Sequence, residues 1–178
     1  LFYLVIIKQF KRAFKSEELW TYLGIVAVSI FIITMNILPL AGSFSHALRQ
    51  AGFQVASIIS TTGFVTADFN QWPVLSQIVI IMLMFIGSCA GSTGGGLKVG
   101  RIIILFKSSI RELRRAINPR KVQALRLDGA VLEKGTVSAT CIYFVVYMLV
   151  IATSIILVSL NNLDFSSTLT SVITCINN

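Results

Sequence analysis

Apolar positions gather along the chain in three stretches, Leu19 to Ser45, Phe69 to Leu97 and Gly135 to Leu163, none of which contains Asp, Glu, Lys, Arg or His. A helix needs about 20 apolar residues to cross a hydrocarbon core of roughly 30 Å, so each stretch predicts one crossing. Between the first two the pattern turns amphipathic. In "FSHALRQAGFQVASIIS", Phe44, Leu48, Phe53, Val55, Ala56, Ile58 and Ile59 are the apolar positions, and Ser43 stands where a helix cap belongs. A helix from Ala47 to Ser60 is ~20 Å long by helical rise. With Arg49, Gln50, Gly52 and Gln54 it is too short and too polar to cross, so it enters the membrane only part way. The "STTGFVT" that follows reads as a re-entrant loop, because irregular backbone at membrane depth survives only where protein or a wet cavity surrounds it.

The same arrangement occurs twice. A shift of 117 positions lays Val55 on Val172, Ser57 on Thr174 and Ile59 on Ile176, with Asp164 and Ser166 as capping candidates for the second short helix. Repetition about one axis suits a pore built from several re-entrant loops. In such a loop Ser60, Thr61, Thr62, Gly63 and Phe64 can present main-chain oxygens beside the partial negative charge of a helix C-terminus, and Gly63 is free to take a conformation forbidden to other residues. Oxygens so placed replace the water shell of an alkali cation better than they bind a transition metal, since no His, Cys or carboxylate cluster lies nearby.

Composition and charge then set the solvent. Of 178 residues, 55% are hydrophobic and 12% charged, a balance foreign to an ordinary soluble domain. The net charge of +8 is not spread as a nucleic-acid surface would require. Lys8, Lys11, Arg12 and Lys15 precede the first stretch, and the second basic block runs from Lys98 to Lys134. Leu40 to Trp72 carries only Arg49 and Asp68, and Asn161 to Asn178 only Asp164. The positive-inside rule makes both basic blocks cytoplasmic and demands two crossings between them and one after, in agreement with the span count. No cleavage site suggests a signal peptide, and the opening "LFYLVII" and closing "CINN" read as those of a piece of a longer protein. Cys89, Cys141 and Cys175 lie far apart and read as small buried hydrophobes.

At "STTGFVTADFNQWP", "GSCAGSTGGGLK" and "TCINN" the chain resembles the Trk/Ktr/HKT superfamily of potassium transporters, most nearly its bacterial Trk-type pore subunit. The resemblance implies an all-α integral membrane fold of repeated span, pore helix, filter loop and span, four repeats surrounding one pore. By it residues 1–18 are a cytoplasmic basic segment. Residues 19–118 are the third repeat, with span 19–38, pore helix 44–60, filter 61–66 and broken span 73–118. Residues 119–134 connect it to the start of the fourth, with span 135–160 and pore helix 165–176. Thr61, Thr62, Gly63 and Phe64 fall on the third filter strand, and Asn177 and Asn178 on the start of the fourth. The segment matching Gly87 to Lys98 is implied to be an intramembrane gate, with Gly91, Ser92, Thr93, Gly94, Gly95, Gly96 and Lys98 its candidate residues.

The resemblance further implies potassium as transported ligand without any resident cofactor, and no enzyme activity. It implies an inner-membrane location with the basic segments cytoplasmic, cytoplasmic nucleotide-binding regulatory subunits, a homodimer of full-length chains and no nucleic-acid partner. A sodium-permeable relative remains an alternative within the family.

The glycines agree with a break from first principles: Gly94, Gly95 and Gly96 in succession each disfavour helix by about 1 kcal/mol relative to Ala. The freed amides then need water or Ser88, Ser92 and Thr93 as partners. Other readings stand beside it. Gly87 and Gly91 form a G-x-x-x-G pair that suits helix packing, the basis of a non-conducting scaffold. "GSTGGGLK" approaches a phosphate loop but lacks the adjacent Lys and Ser/Thr, and no paired carboxylate or nucleophile with its base supports a membrane enzyme. Lys98 opens a basic stretch and reads as a snorkelling interfacial residue. The following amphipathic helix should end at Asn118 before Pro119, with Arg111, Arg114 and Arg115 as a basic face, and "LRLDGAVL" suggests a hairpin and docking element. His46 reads as a surface residue, Asp68 as a loop carboxylate that is solvated or concentrates cations, and Trp72, before Pro73, as an interfacial anchor.

Overall fold

The computed structural model describes residues 16–89, 92, 94–118 and 125–177. The expectations placed on Lys8, Lys11, Arg12, Lys15, Gly91, Thr93, Pro119 and Asn178 lie outside the described residues. Among the described residues six helices carry the fold: α1 Glu17–Ala41, α2 Phe44–Ile59, α3 Val74–Phe85, α4 Val99–Ile117, α5 Lys134–Ser159 and α6 Phe165–Asn177. A single 3-10 turn, Phe69–Gln71, precedes α3, and a two-stranded antiparallel hairpin, β1 Arg126–Leu127 and β2 Ala130–Val131, separates α4 from α5.

Helices α1 and α5 have 25 and 26 residues, long enough and apolar enough to cross a membrane. Helix α1 overruns the expected 19–38 at both ends. Pro39 is accommodated in its last turn, and Gly42, at φ 68°, donates to the Leu38 carbonyl and closes the helix. The second uncharged stretch differs from the first and third: it is helical only over Val74–Phe85, about 18 Å by helical rise, too short to cross alone. Residues 86–98 separate it from α4, and the described ones among them are not helical.

The 117-residue shift relates the elements as well as the motifs. Moved by that amount α1 would occupy 134–158, against Lys134–Ser159 observed for α5. Ala51 and Val55 of α2 and their counterparts Thr168 and Val172 of α6 are all buried. Ser43 stands at the N-cap of α2 without a side-chain hydrogen bond. At α6 the cap is Asp164, which accepts from the Ser166 amide at 3.2 Å; Ser166 is inside the helix and receives the cap instead of making it.

Helix α2 buries Ala47, Ala51, Val55 and Ile59, one residue per turn, against Ile33 and Ile37 of α1 and Ile80 and Leu83 of α3. The two alanines keep side chains small at this seam between half-helix and span. A second cluster joins Leu97 to Tyr147 and Ile151 of α5, and a third joins Ile104, Leu125 and Val137. Outside, the pattern inverts that of a soluble protein. Phe31, Met35, Met82, Ile142, Val145, Leu149, Ile156 and Leu157 are exposed, while Thr34, Gln54, Ser57, Ser76, Thr140, Thr168 and Asn177 are buried. Apolar belts with a polar interior belong in lipid.

Trp72 is not the expected interfacial anchor: it is buried in the cluster with Ile33, Ile37 and Ala47. The turn Phe69–Gln71 folds it inward. Asp68 makes that turn, accepting from the Asn70 amide at 3.0 Å and from Gln71 Nε2 at 3.4 Å, so its carboxylate, exposed as expected of a solvated loop residue, also caps the turn. His46 is exposed, as expected.

The hairpin turns at Asp128 and Gly129, both at positive φ (50° and 82°), the signature of a tight I′ connection. Asp128 reaches back to α1, accepting from the Glu17 amide at 2.6 Å and from Ser16 Oγ at 3.2 Å. Lys107 of α4 pairs with Glu17 and donates to the Arg126 carbonyl at 3.0 Å. These contacts tie the hairpin to the start of α1 and to α4.

Candidate functional site

Two half-helices end at one cavity. It has a volume of about 420 Å³ and is lined from the first repeat by Gln54, Ser57, Thr61, Gly63 and Phe64, and from the second by Thr174 and Asn177. The C-terminal ends of α2 and α6 thus meet it together, and a helix C-terminus carries a partial negative charge, roughly half an elementary charge. Thr61, Gly63, Phe64 and Asn177 are brought together here; Thr62 is exposed and does not line the cavity.

The loop after α2 owes its shape to Ser57. Its carbonyl accepts from the amides of Thr62 at 2.9 Å and Gly63 at 3.5 Å, and its hydroxyl donates to the Phe64 carbonyl at 2.6 Å. Ser60 Oγ lies 2.6 Å from both the Ala56 carbonyl and Thr62 Oγ1. Amides are consumed inward, while among the described residues the carbonyls of Thr61, Thr62 and Gly63 accept nothing. Gly63 has φ 75° with open space around its missing side chain, so backbone conformation is what selects glycine there. Thr61 also has positive φ, 56°, which is uncommon for a β-branched residue. No feature of the sequence announces it.

Below this loop lies the glycine-rich segment. Ile86 and Leu97 form a parallel bridge: the Gly87 amide donates to the Leu97 carbonyl at 2.8 Å and the Leu97 amide to the Phe85 carbonyl at 3.0 Å. The two ends of the break are thereby pinned as a neck. Gly87 is in this neck and not on a helix, so the G-x-x-x-G packing face does not form; a Cβ added to it would collide with the Gly95 carbonyl oxygen, so a side chain cannot fit. Gly94 faces the filter candidates: a Cβ there would meet Ser88 Oγ at 3.1 Å and Thr61 Oγ1 at 3.3 Å. Gly95 abuts the Asn177 carbonyl so closely that a Cβ would collide with backbone.

Inside the segment, Ser92 Oγ accepts from the Gly94 amide at 3.3 Å, whereas buried Ser88 Oγ has no partner among the described residues. Lys98 does not snorkel outward. Its ammonium turns back and donates to the Ser92 carbonyl at 2.9 Å and to the Gly94 carbonyl. That orientation also removes it from any phosphate-binding role at the start of α4.

Asn177 is buried, and both polar atoms of its side chain are engaged: Nδ2 donates to the Met84 carbonyl at 2.8 Å and Oδ1 accepts from Tyr147 OH at 2.7 Å. Neither partner was recoverable from the sequence, since they are 93 and 30 residues away. Tyr147 stacks on Tyr143, with centroids 6.1 Å apart, and Arg101 lies 3.9 Å above the Tyr143 ring.

Crossing helices, half-helices ending at a shared cavity and a span broken beneath it define an all-α membrane fold with pore-like helices. Residues 18–178 match the family model described as TrkH, cation transport protein, and the chain belongs to that family. The Trk system potassium uptake protein TrkH of Escherichia coli K12 is 34% identical over 174 residues, covering 96% of this chain and 36% of that protein. TrkG of the same strain is 29% identical over 185 residues, covering 100% and 37%. The crystal structure of the potassium transporter TrkH from Vibrio parahaemolyticus superposes with a TM-score of 0.82 at 32% identity, covering 90% of this chain and 35% of that one. The chain thus spans just over a third of the length of these relatives.

Proposed function

We propose that this chain is part of a potassium-uptake pore, contributing the third repeat and the beginning of the fourth. The observation that carries the reading is the cavity shared by the ends of α2 and α6, lined by Thr61 and Gly63, whose carbonyls are unengaged among the described residues, with Gly94 against Thr61 and Gly95 against Asn177. A cation entering loses part of its hydration shell. Main-chain oxygens take the place of those waters, and the negative ends of two helices lower the energy of a monovalent cation in a low-dielectric setting.

Thr61, Thr62, Gly63 and Phe64 are the filter strand in this reading. Asn177 and Asn178 begin the next. The engagement of the Phe64 carbonyl by Ser57 makes it a structural member of the strand. The Gly-rich segment acts as the gate: closed, it rests against Thr61 and Asn177, held by Lys98. The proposal extends to the assembled protein, an inner-membrane homodimer with basic segments cytoplasmic, regulated by nucleotide-binding cytoplasmic subunits. The names of the relatives support potassium as the ion.

Rubidium uptake into proteoliposomes holding the full-length protein tests the reading. Uptake driven by a rubidium gradient and abolished by Gly63→Asp is the expected result. A wild-type protein that passes no monovalent cation would return the chain to a scaffolding role. Sodium passing as readily as rubidium would identify a sodium-permeable relative.

A further inference from the structure

The contacts of Asn177 join three elements that the sequence keeps apart. Its side chain holds the carbonyl of Met84, one residue before α3 ends, and the hydroxyl of Tyr147 on α5. Its own carbonyl rests on Gly95. Met84 and Asn177 also both line the cavity. The bond to Met84 falls on the last turn of a helix, where carbonyls lack an intrahelical donor, so Asn177 supplies the donor that the broken span gives up. The Met84 carbonyl fixes the amide's orientation, because it can only accept: Nδ2 must face it, which leaves Oδ1 for the Tyr147 hydroxyl.

We propose that Asn177 is a positioning residue that fastens the start of its filter strand to the break in α3, making filter and gate one mechanical unit. The inference rests on the pore reading above and deepens it. Movement of residues 94–96 away from the cavity removes the surface on which the Asn177 carbonyl rests. Movement of α3 at Met84 pulls on the Asn177 side chain. Either displacement is felt by the strand that begins there, so opening the gate changes the ion site, and an ion in the site biases the gate. Tyr147 sets the rest position from the side of α5, and its stacking on Tyr143 limits its freedom.

The test uses the full-length protein in proteoliposomes, with rubidium and sodium fluxes measured in parallel for wild type, Tyr147→Phe and Asn177→Leu. Tyr147→Phe removes one hydroxyl and preserves packing; Asn177→Leu removes both bonds and keeps the forked heavy-atom skeleton, in a bulkier side chain. Loss of a single hydrogen bond corresponds to about a fivefold change, so the rubidium-to-sodium ratio is expected to fall about fivefold in Tyr147→Phe and further in Asn177→Leu. A purely structural role lowers the amount of working protein and scales both fluxes together, leaving the ratio fixed. A ratio within twofold of wild type in Tyr147→Phe, whatever the absolute fluxes, would overturn the proposal. Should Asn177→Leu fail to fold, Tyr147→Phe alone decides. Failure of the pore reading itself is distinct, because then wild type carries neither ion.

Discussion

Gly95→Ala is the sharpest perturbation this structure offers, because the added methyl group would occupy the space already held by the carbonyl, carbon and Cα of Asn177. All three are backbone atoms, so no side-chain rotation relieves the collision and the loop must part from the end of α6. Gly94→Ala is the natural control: its Cβ would meet two hydroxyl oxygens, Ser88 Oγ at 3.1 Å and Thr61 Oγ1 at 3.3 Å, which can turn aside by a few tenths of an ångström. Overpacking against fixed atoms costs about 1–3 kcal/mol. If the closed position alone bears that cost, the open-to-closed ratio rises between about fivefold and a hundredfold, at 1.4 kcal/mol per factor of ten. The assay is passive rubidium leak from loaded proteoliposomes containing the full-length protein without any regulatory partner. Gly95→Ala should leak by that factor and Gly94→Ala by much less. A Gly95→Ala protein that folds and stays as tight as wild type would show that the contact with Asn177 does not hold the pore shut.

Lys98→Met keeps the apolar stem but deletes the ammonium that draws the Ser92 and Gly94 carbonyls together; charge-assisted bonds are worth about 1.5–3 kcal/mol each, so rubidium leak should increase at least tenfold. Gly63→Ala meets no neighbouring atom but must adopt φ 75°, at a cost of about 1–2 kcal/mol, so the rubidium-to-sodium ratio should fall while expression is maintained. An unchanged ratio would argue that the carbonyls of this strand do not select. Asp128→Ala removes the acceptor of the Glu17 amide and should lower stability by about 1 kcal/mol, seen as an earlier thermal midpoint with the ion ratio unaltered. A changed ratio instead would connect the hairpin to the ion path.

The spans were legible because the physics of lipid acts on long stretches: an absence of charge over 25 residues leaves few alternatives, and α1 and α5 follow it closely. The half-helices were legible from amphipathic spacing, which put Val55 and Val172 at equivalent buried positions. The glycine cluster at 94–96 marked a break, but not how the break is closed. That depends on Ile86 finding Leu97 in parallel register, a pairing decided by the packing of α3 and α4 and not by either residue. Trp72 illustrates a second limit. An aromatic residue before the proline that opens an apolar stretch serves equally at an interface or in a core, and only the turn capped by Asp68 decides between them.

The site followed the same division. Gly63 was readable because glycine is the residue that a left-handed position favours, yet Thr61 shares the conformation and gave no sign of it. The backbone role expected of Asn177 could be placed beside the cavity, whereas its side-chain partners depend on two helices distant in the sequence. Lys98 was misread for a related reason: a lysine at the start of a basic stretch is drawn to headgroups unless carbonyls nearer at hand lack donors, as those of Ser92 and Gly94 do.

The paired hydrogen bonds from Leu97 to Phe85 and Gly87, which clasp Ile86 beside Leu97, also determine where a push can enter. Helix α4 leaves this clasp after a single residue and runs about 28 Å to Ile117 by helical rise, carrying Arg111, Arg114 and Arg115 toward its far end. If the glycine-rich segment gates as proposed, a rigid rod hinged beside it is a lever. A shift of about 2 Å imposed on its arginines by anything docked there would arrive at the clasp as a rotation of about 4°, without any change in the rod itself.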